Sequence, residues 1–255
     1  MKSISLAFCA IIFCFNCTTK PETSSMLKPL PVKDSAAIKY IYLTFDDGPL
    51  EGSEDIDNAV RSEKINVNVF VVGQHALSNE RMQNFYTLYK NNPYIEIGNH
   101  SFSHAHNHYE KFYKNPLAVV ADFKKCQDTL HILNMLARLP GRNQWRLKNV
   151  SLNDVRSGSA SADLLYKEGF KVFGWDVEWQ HDSKTGVPIQ TVDDMVELIE
   201  KKLNENKTVK PGNLVLLAHD EMFRNGWEES ELKQLVEKLK AKGNYRFQHL
   251  SNYPS

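Results

Sequence analysis

The stretch at residues 40–49, YIYLTFDDGP, has the composition of a buried β-strand that ends in two adjacent carboxylates. β-Branched and aromatic residues dominate its first half, and a Gly-Pro turn follows the acids. Side chains alternate along an extended backbone, so we expect Asp46 and Asp47 to perform different tasks. One of them can bind a metal ion while the other stays free. Taken alone, Asp-Asp-Gly-Pro is also typical of an ordinary turn between a strand and a helix, so the rest of the chain has to decide.

The composition is that of one globular domain: the 255 residues are 42% hydrophobic and 24% charged. Lys plus Arg and Asp plus Glu both number 31, and no run of five basic residues occurs. This balance gives no electrostatic support for nucleic acid as a partner. We therefore expect an uncharged partner, and no nucleic acid.

The N-terminus has the pattern of an export signal. Lys2 is followed by an apolar stretch from Ile4 to Phe15, which is short for a membrane span, and the stretch stops at Cys17. This resembles a bacterial lipoprotein signal in which Cys17 is lipidated, although the residues before it are larger than such sites prefer, and a plain secretory signal is the alternative. Residues 18–37 are rich in Pro, Ser, Thr and Lys, which predicts a flexible linker. We expect a signal at 1–17, a linker at 18–37 and a domain at 38–255, held at the bacterial cell envelope by a lipid.

Helical and strand patterns alternate along the domain. Helices are predicted at 53–64, 78–91, 159–168 and 229–241, from Thr191 with a capping box to Asp194, and from Asn115 with apolar spacing that continues to Leu136. Strands are predicted at 67–72, 94–97, 171–175 and 213–218. The alternation indicates an α/β fold with a mostly parallel sheet. No glycine-rich nucleotide motif follows the first strand, so a barrel-like closure is favoured. Polar residues follow the predicted strands, where barrels carry their chemistry: Asp46, Asp47, His100, Arg138, Asp176 and His219.

Two histidines in the segment NHSFSH, His100 and His104, are four residues apart, which places both rings on one face of a helix or turn. With a carboxylate such as Asp47 they make a three-ligand site with open positions for water and substrate. His104 and His108 have the same spacing, so that pair is an alternative. A solvated histidine-rich loop is a further alternative.

These residues resemble the polysaccharide deacetylases with a NodB-type domain, which are carbohydrate esterase family 4. TFDDGP at 44–49 matches the first family motif, and His100 with His104 matches the second. The resemblance covers about residues 38 to 250 and implies a distorted, incomplete (β/α) barrel. It also implies that Asp47, His100 and His104 hold a divalent metal, that Asp46 is the general base, and that His106 and His108 are bystanders. Zinc is the metal we expect first, and cobalt, nickel and iron also suit these ligands.

The resemblance continues in two later motifs. Arg138, Leu139 and Pro140 match the third motif, and Gly141 can supply the backbone N–H for the oxyanion that the family takes from this position. Gly141 and the residue after it replace an aromatic residue and a glycine, so an aromatic wall of the acetyl pocket is lost. The last motif, Leu-x-His-Asp, is matched at 217–220 and implies His219 as the general acid.

The fourth motif is ambiguous, since the family has an acidic stretch that closes in Asp-Trp, and this chain has Trp-Asp-Val-Glu-Trp at 175–179. Asp176 and Glu178 point to the same side of a strand, so either can orient Arg138 or His219. Trp179 can stack on a sugar ring or pack in the core.

The function we expect is metal-dependent hydrolysis of N- or O-acetyl groups on a carbohydrate polymer such as peptidoglycan, a chitin-like oligomer or acetylated xylan. A carbohydrate-binding envelope lipoprotein that has kept the fold and lost the activity is the alternative from another class, supported by the altered third and fourth motifs. Two histidines and a carboxylate also suit a non-haem iron oxygenase, but Asp46 and His219 have no task in one. A glycosidase with two carboxylates does not need the histidine pair.

Overall fold

The strands of the protein form a curled sheet, seen in a computed structural model that describes residues 37–224 and 230–254. The strands are β1 (Lys39–Asp46), β2 (Val67–Val71), β3 (Ile95–Asn99), β4 (Leu136–Ala137), β5 (Trp145–Leu147), β6 (Val150–Leu152), β7 (Lys171–Val172), β8 (Val177–Glu178), β9 (Asn213–His219) and β10 (Tyr245–Phe247). Their order is β6-β5-β7-β4-β3-β2-β1-β9-β8, and β10 also pairs with β1. The strands pair in parallel, except that β5 is antiparallel to β6 and β7. Among the described strands β6 and β8 end the sheet without pairing to each other, so the predicted incomplete barrel is confirmed.

Helices connect the strands. They are α1 (Ser53–Glu63), α2 (Gly73–Ala76), α3 (Glu80–Asn91), α4 (Tyr109–Phe112), α5 (Pro116–Leu130), α6 (Ser159–Lys167), α7 (Val192–Asn204) and α8 (Glu231–Ala241). The predicted capping box of α7 is confirmed, since Thr191 and Asp194 bond each other's backbone N–H groups. The four-residue helices α2 and α4 were not predicted, because they are too short to show a helical period.

The predicted helix from Asn115 to Leu136 is too long. Helix α5 ends at Leu130, where His131 takes a left-handed conformation with φ 53° and its N–H bonds the Gln127 carbonyl. Leu133 is 98% exposed and Leu136 belongs to β4. The apolar spacing therefore continued by chance across a turn into a buried strand.

The predicted strand at 171–175 is also shorter in the structure, since β7 ends at Val172. The next two carbonyls, those of Phe173 and Gly174, accept hydrogen bonds from the Arg138 guanidinium. The buried Arg138 side chain thus supplies the hydrogen-bond donors that a neighbouring strand would otherwise supply to these carbonyls.

The predicted signal and linker, including Cys17, lie outside the described residues, apart from residue 37. In the portion that is described, no helix has both the length and the apolar character needed to cross a membrane.

The register of the sheet brings the carboxyl ends of several strands together. Asp46 at the end of β1 pairs with His219 at the end of β9, and Asn99 at the end of β3 pairs with Ala137 at the end of β4. Adjacent strands are about 4.8 Å apart, and paired residues point to the same face of a sheet. The residues at or just after these ends therefore gather at one edge of the sheet.

Candidate active site

The two adjacent aspartates separate because the backbone changes direction between them. Asp46 is the last residue of β1, whereas Asp47 has a φ of 71°, a left-handed conformation that Asp tolerates better than most residues. His75 of α2 donates from Nδ1 to the Asp47 carbonyl at 2.6 Å, which holds this turn. His75 was not among the residues singled out from the sequence, since its partner is a backbone atom 28 positions away.

The Asp47 carboxylate meets two imidazoles. Its Oδ1 lies 2.9 Å from His104 Nε2 and 3.3 Å from His100 Nε2. One ligand atom from each of the three residues lies within 4.8 Å of the others, a spacing that allows one metal ion to be shared. The structure thus brings together the three residues that the sequence singled out as ligands.

The orientation of both rings suits a metal. His100 Nδ1 lies 2.8 Å from the Arg138 carbonyl, and His104 Nδ1 lies 3.2 Å from Asn107 Oδ1. A carbonyl can only accept, so Nδ1 of His100 carries the proton and its Nε2 keeps a free lone pair. Backbone or amide partners of this kind commonly fix metal-binding histidines. The donor set therefore fits a divalent cation.

The charge of the carboxylate suits a metal as well. Burial by itself would raise the pKa of Asp47, but the hydrogen bonds from His100 and His104 hold this pKa well below its usual range. Asp47 is consequently an anionic ligand.

The loop that carries the histidines is anchored by Asp122 of α5. Asp122 Oδ2 accepts hydrogen bonds from the backbone N–H groups of Phe102 and Ser103, both at 3.0 Å. His106 and His108 are exposed and do not join the cluster around Asp47. His108 is thus not placed as the alternative ligand. Asp122 gave no signal in the sequence, because an acid on a helix is usually solvated.

Asp46 is held by a buried arginine. Arg138 Nη1 donates to Asp46 Oδ1 at 2.8 Å and to Thr44 Oγ1 at 2.7 Å, and the other guanidinium nitrogens donate to the carbonyls of Phe173 and Gly174. Burial lowers the pKa of Arg138 from its ordinary value, and the Asp46 charge opposes this effect. The second oxygen of Asp46 lies 3.6 Å from His100 Nε2. Asp46 therefore borders the three-residue cluster without belonging to it.

His219 is paired with Asp46 in the register of β1 and β9, and it lines the same cavity as Asp46. Its Nδ1 is buried and has no hydrogen-bond partner in the described part of the chain. The ring packs 4.7 Å from the ring of His181, which is paired with Glu221 at 2.8 Å.

The next residue, Asp220, turns away from the cavity. It accepts hydrogen bonds from Tyr89 Oη at 2.5 Å, Ser53 Oγ at 2.8 Å and the Leu50 N–H at 3.0 Å. It fixes the turn that follows Asp47. Ser53, the first residue of α1, bonds this carboxylate, and α1 has no side-chain cap.

The fourth-motif residues occupy different environments. Glu178 lines the cavity. Asp176 does not line it, and its two oxygens accept the N–H groups of Val209 at 2.7 Å and Val215 at 2.8 Å. Trp179 is fully buried, and its indole N–H donates to the Gln190 carbonyl. Of the two alternatives for Trp179, the structure places it in the core.

The cavity has a volume of about 220 Å³ and contains further residues that the sequence did not single out. Tyr109, Trp175 and Leu217 give it apolar walls, and Arg156 lies at its edge. Tyr109 begins α4, Leu217 belongs to β9, and Trp175 and Arg156 lie in loops, so no spacing in the sequence connects them.

Tyr109 lies where a side chain at position 141 would otherwise extend. Gly141 has a φ of 62°, and a Cβ atom there would lie 3.3 Å from Tyr109 Cε1. The Tyr109 ring also stands edge-on to His104, with 5.8 Å between the ring centroids. The cavity thus has an aromatic wall beside Gly141, supplied by a different element from the one expected.

The chain is similar to known polysaccharide deacetylases. Residues 33–135 match the polysaccharide deacetylase family model. The match spans less than half of the chain, so it shows a similarity to that family. The match ends before Arg138, so it contains Asp46, Asp47, His100 and His104.

Proteins similar to this chain include the chitin disaccharide deacetylase of Vibrio alginolyticus, 25% identical over 54% of the chain. The chain spans about half of that relative, since the match covers 47% of its length. The polysaccharide deacetylase Bc1974 of Bacillus cereus is 25% identical, with a TM-score of 0.56 over 85% of this chain and 95% of that one. A family 4 carbohydrate esterase of Streptomyces lividans, solved with acetate, is 20% identical, with a TM-score of 0.59 over 84% and 94%. The last likeness shows the fold alone, which is the NodB fold expected from the sequence.

Proposed function

We propose that the protein is a metal-dependent hydrolase that removes N- or O-acetyl groups from a carbohydrate polymer or oligosaccharide. The observation that carries this proposal is the separation of two adjacent carboxylates. Asp47 Oδ1 lies against the Nε2 atoms of His100 and His104, while Asp46 is held apart by Arg138. A site with three ligands and a free neighbouring base suits hydrolysis of an amide or ester.

Asp47, His100 and His104 would hold the cation, for which we propose zinc, with cobalt, nickel and iron as suitable replacements. A divalent cation at this position supplies Lewis-acid chemistry, since it polarises a carbonyl oxygen and lowers the pKa of water. The Nδ1 contacts of the two histidines keep their Nε2 lone pairs directed at it.

Each neighbouring residue has one task in this proposal. Asp46 takes the proton from the water that attacks the acetyl carbon, and Arg138 fixes its orientation and keeps it charged. The Gly141 N–H, which bonds no acceptor among the described residues, donates to the developing oxyanion. His219 protonates the leaving amine or alkoxide. The support for this pair of roles is that Asp46 and His219 are paired in the sheet.

An inactive carbohydrate-binding protein is the second candidate, and the departures from the third and fourth family motifs favour it. Two observations count against it. Gly141 retains the backbone N–H that the third motif uses, and Tyr109 restores an aromatic wall beside it. A protein that has lost the deacetylase activity has no need of an aromatic wall beside the oxyanion position.

We further propose that the protein is exported and anchored in the bacterial cell envelope through a lipid on Cys17. The support is the apolar stretch that stops at this cysteine and the linker after it. The mass of the mature N-terminal peptide tests this proposal. A lipidated Cys17 adds the mass of its acyl chains, whereas cleavage of a plain secretory signal leaves a peptide without acyl chains.

The activity is tested by acetate release from defined acetylated oligosaccharides, with the purified protein loaded with each metal in turn. We expect release that is abolished by Asp46→Asn and unchanged by Asp128→Asn, an exposed aspartate on α5 that serves as the matched control. Tight binding of the oligosaccharides without acetate release from any of them, with every metal, would favour the binding protein instead. Oxygen consumption with a 2-oxo acid would indicate the iron oxygenase.

A further inference from the structure

A second cavity lies beside the candidate active site. It has a volume of about 640 Å³, and Tyr109 and Arg156 line both cavities, so the two are neighbours. We call it the basic cavity, and it is lined by residues 107–111 together with Arg142 and Arg156.

The sizes of the two cavities suggest a division of the substrate between them. Ligand pockets usually measure about 300–1,000 Å³. The active-site cavity, at about 220 Å³, lies below this range, and the basic cavity lies within it. A carbohydrate whose acetyl group reaches Asp46 must therefore place its next unit elsewhere, and the basic cavity adjoins the site.

The charge of the basic cavity is mostly positive. Lys111, Arg142 and Arg156 are cations, and Glu110 is the one acid among the lining residues. Arg142 is committed to the protein, because its guanidinium is paired with Glu110 at 2.6 Å and donates to the Gly141 carbonyl at 2.9 Å. This pair leaves Lys111 and Arg156 as the cations that are available to a ligand.

Both of these cations are accessible. The Arg156 side chain is 56% exposed, and its contact with Asp154 is long, at 3.4 Å. The Asp154 carboxylate is already occupied by the backbone N–H groups of Asn143 and Arg156. The Lys111 ammonium makes no ion pair with any residue in the described ranges. A guanidinium with unused N–H donors and a nearby ammonium are the groups that bind carboxylates in proteins.

We propose that the basic cavity binds a carboxylate on the sugar unit next to the acetylated one, so that the preferred substrates are acetylated acidic glycans. This inference rests on the proposed deacetylase function and names the substrate class of that site. It differs from the expectation of an uncharged partner, which followed from the net charge of the whole chain. Net charge averages over the surface and does not report the local charge of one cavity.

The test compares two forms of one substrate: an acetylated oligosaccharide that contains uronic acids, and the same oligosaccharide after reduction of its carboxyl groups to alcohols. For the unaltered full-length protein we expect kcat/KM to be about tenfold higher on the acidic form, as one charge-assisted contact implies. The difference should lie mainly in KM and shrink at high ionic strength, because the contacts are partly exposed. Equal kcat/KM on the two forms would overturn the inference.

Variants then locate the preference. We expect Arg156→Gln and Lys111→Gln each to reduce the acidic-to-reduced ratio of kcat/KM several-fold. Arg81→Gln and Lys114→Gln, which remove exposed cations that line neither cavity, should leave the ratio unchanged. An unchanged ratio in both cavity variants would place the preference elsewhere and refute the assignment.

Calorimetry separates this inference from the proposed function. If no acetate is released from either form, the deacetylase proposal fails. The basic cavity is then judged by binding alone, measured with the same two oligosaccharides after removal of their acetyl groups. Tighter binding of the acidic form, lost in Arg156→Gln, supports the cavity, and equal binding overturns it.

Discussion

Replacing Asp46 by Asn should stop turnover while leaving the metal in place. The carboxamide has the shape of the carboxylate and cannot accept a proton at neutral pH, so we expect kcat to fall by about 10²–10⁴-fold, the usual contribution of a general base. Metal content should not change, because Asp46 is not one of the clustered ligands and its nearer oxygen lies 3.6 Å from His100 Nε2.

The same substitution should have a measurable cost in stability. Arg138 is fully buried, and neutralising Asp46 leaves its charge without a counter-ion. Breaking such a buried pair costs about 3–5 kcal/mol. We expect the lower end, about 3 kcal/mol, because the Asn oxygen can still accept from Nη1, and the bonds of Arg138 to Thr44, Phe173 and Gly174 remain. For a domain of this size each kcal/mol lowers the Tm by roughly 2–4 °C, so a Tm lower by about 6–12 °C should accompany the inactive variant.

Three measurements on one preparation decide the matter: acetate release, bound metal by elemental analysis, and thermal unfolding. Asp47→Asn is the informative comparison, because we expect it to lose metal and activity together, whereas Asp46→Asn should lose activity alone. The assay temperature must lie well below the lowered Tm, so that unfolding does not imitate loss of the base. The reasoning is refuted if Asp46→Asn keeps its activity within tenfold, or if it loses metal in proportion to activity.

Three further outcomes are expected. Tyr109→Ala should raise turnover of propionyl relative to acetyl esters roughly tenfold by removing the wall beside Gly141, while Tyr109→Phe keeps the acetyl preference; equal ratios in both variants would contradict this role. Asp122→Ala should weaken metal affinity about tenfold or more by freeing the histidine loop, as measured by competition with a chelator, and unchanged affinity would argue against the anchor. Burial raises the pKa of Asp176 to about 6, above its unfolded value of about 3.9, so the folded state binds more protons between these values and stability falls as pH rises from about 4 to 6. Asp176→Asn should reduce that fall by about 2 kcal/mol in urea unfolding with chelator present, and an identical pH slope would count against it.

The elements that the sequence predicted well depend on local interactions. The capping box of α7 needs only Thr191 and Asp194, and the first strand needs only its run of β-branched and aromatic residues. The candidate metal ligands could also be identified from the sequence, because Asp47 and the histidine pair each lie in a short, distinctive segment.

The errors arose where the outcome depends on contacts between distant segments. The end of α5 at Leu130 is decided by the left-handed turn at His131 and by the burial of Leu136 in the sheet, and hydrophobic spacing contains neither. Asp176 and Glu178 looked equivalent in the sequence. They differ in the structure because the backbone N–H groups of residues 209 and 215 donate hydrogen bonds to Asp176 and not to Glu178.

The residues that the sequence missed have the same origin. Tyr109, at the start of α4, and Arg156 are 47 residues apart, and only the fold places both at the boundary between the two cavities. His75 acts on a backbone carbonyl, so its partner has no side-chain signature at all. Single-sequence patterns can indicate which groups could do chemistry, but not which walls surround them.

The positions of Asp46 and His219 depend on the sheet, whereas the position of the histidine loop would also depend on a bound metal. Asp46 and His219 are paired in the register of β1 and β9, and Arg138 binds Asp46 from the end of β4. None of these contacts passes through Asp47, His100 or His104. The spacing between Asp46 and His219 is therefore set by hydrogen bonds between strands, while the loop that carries His100 and His104 is held by Asp122. If a cation binds as proposed, its removal should loosen the histidine loop and leave the distance between Asp46 and His219 unchanged, so that one metal can replace another without a change in these two residues.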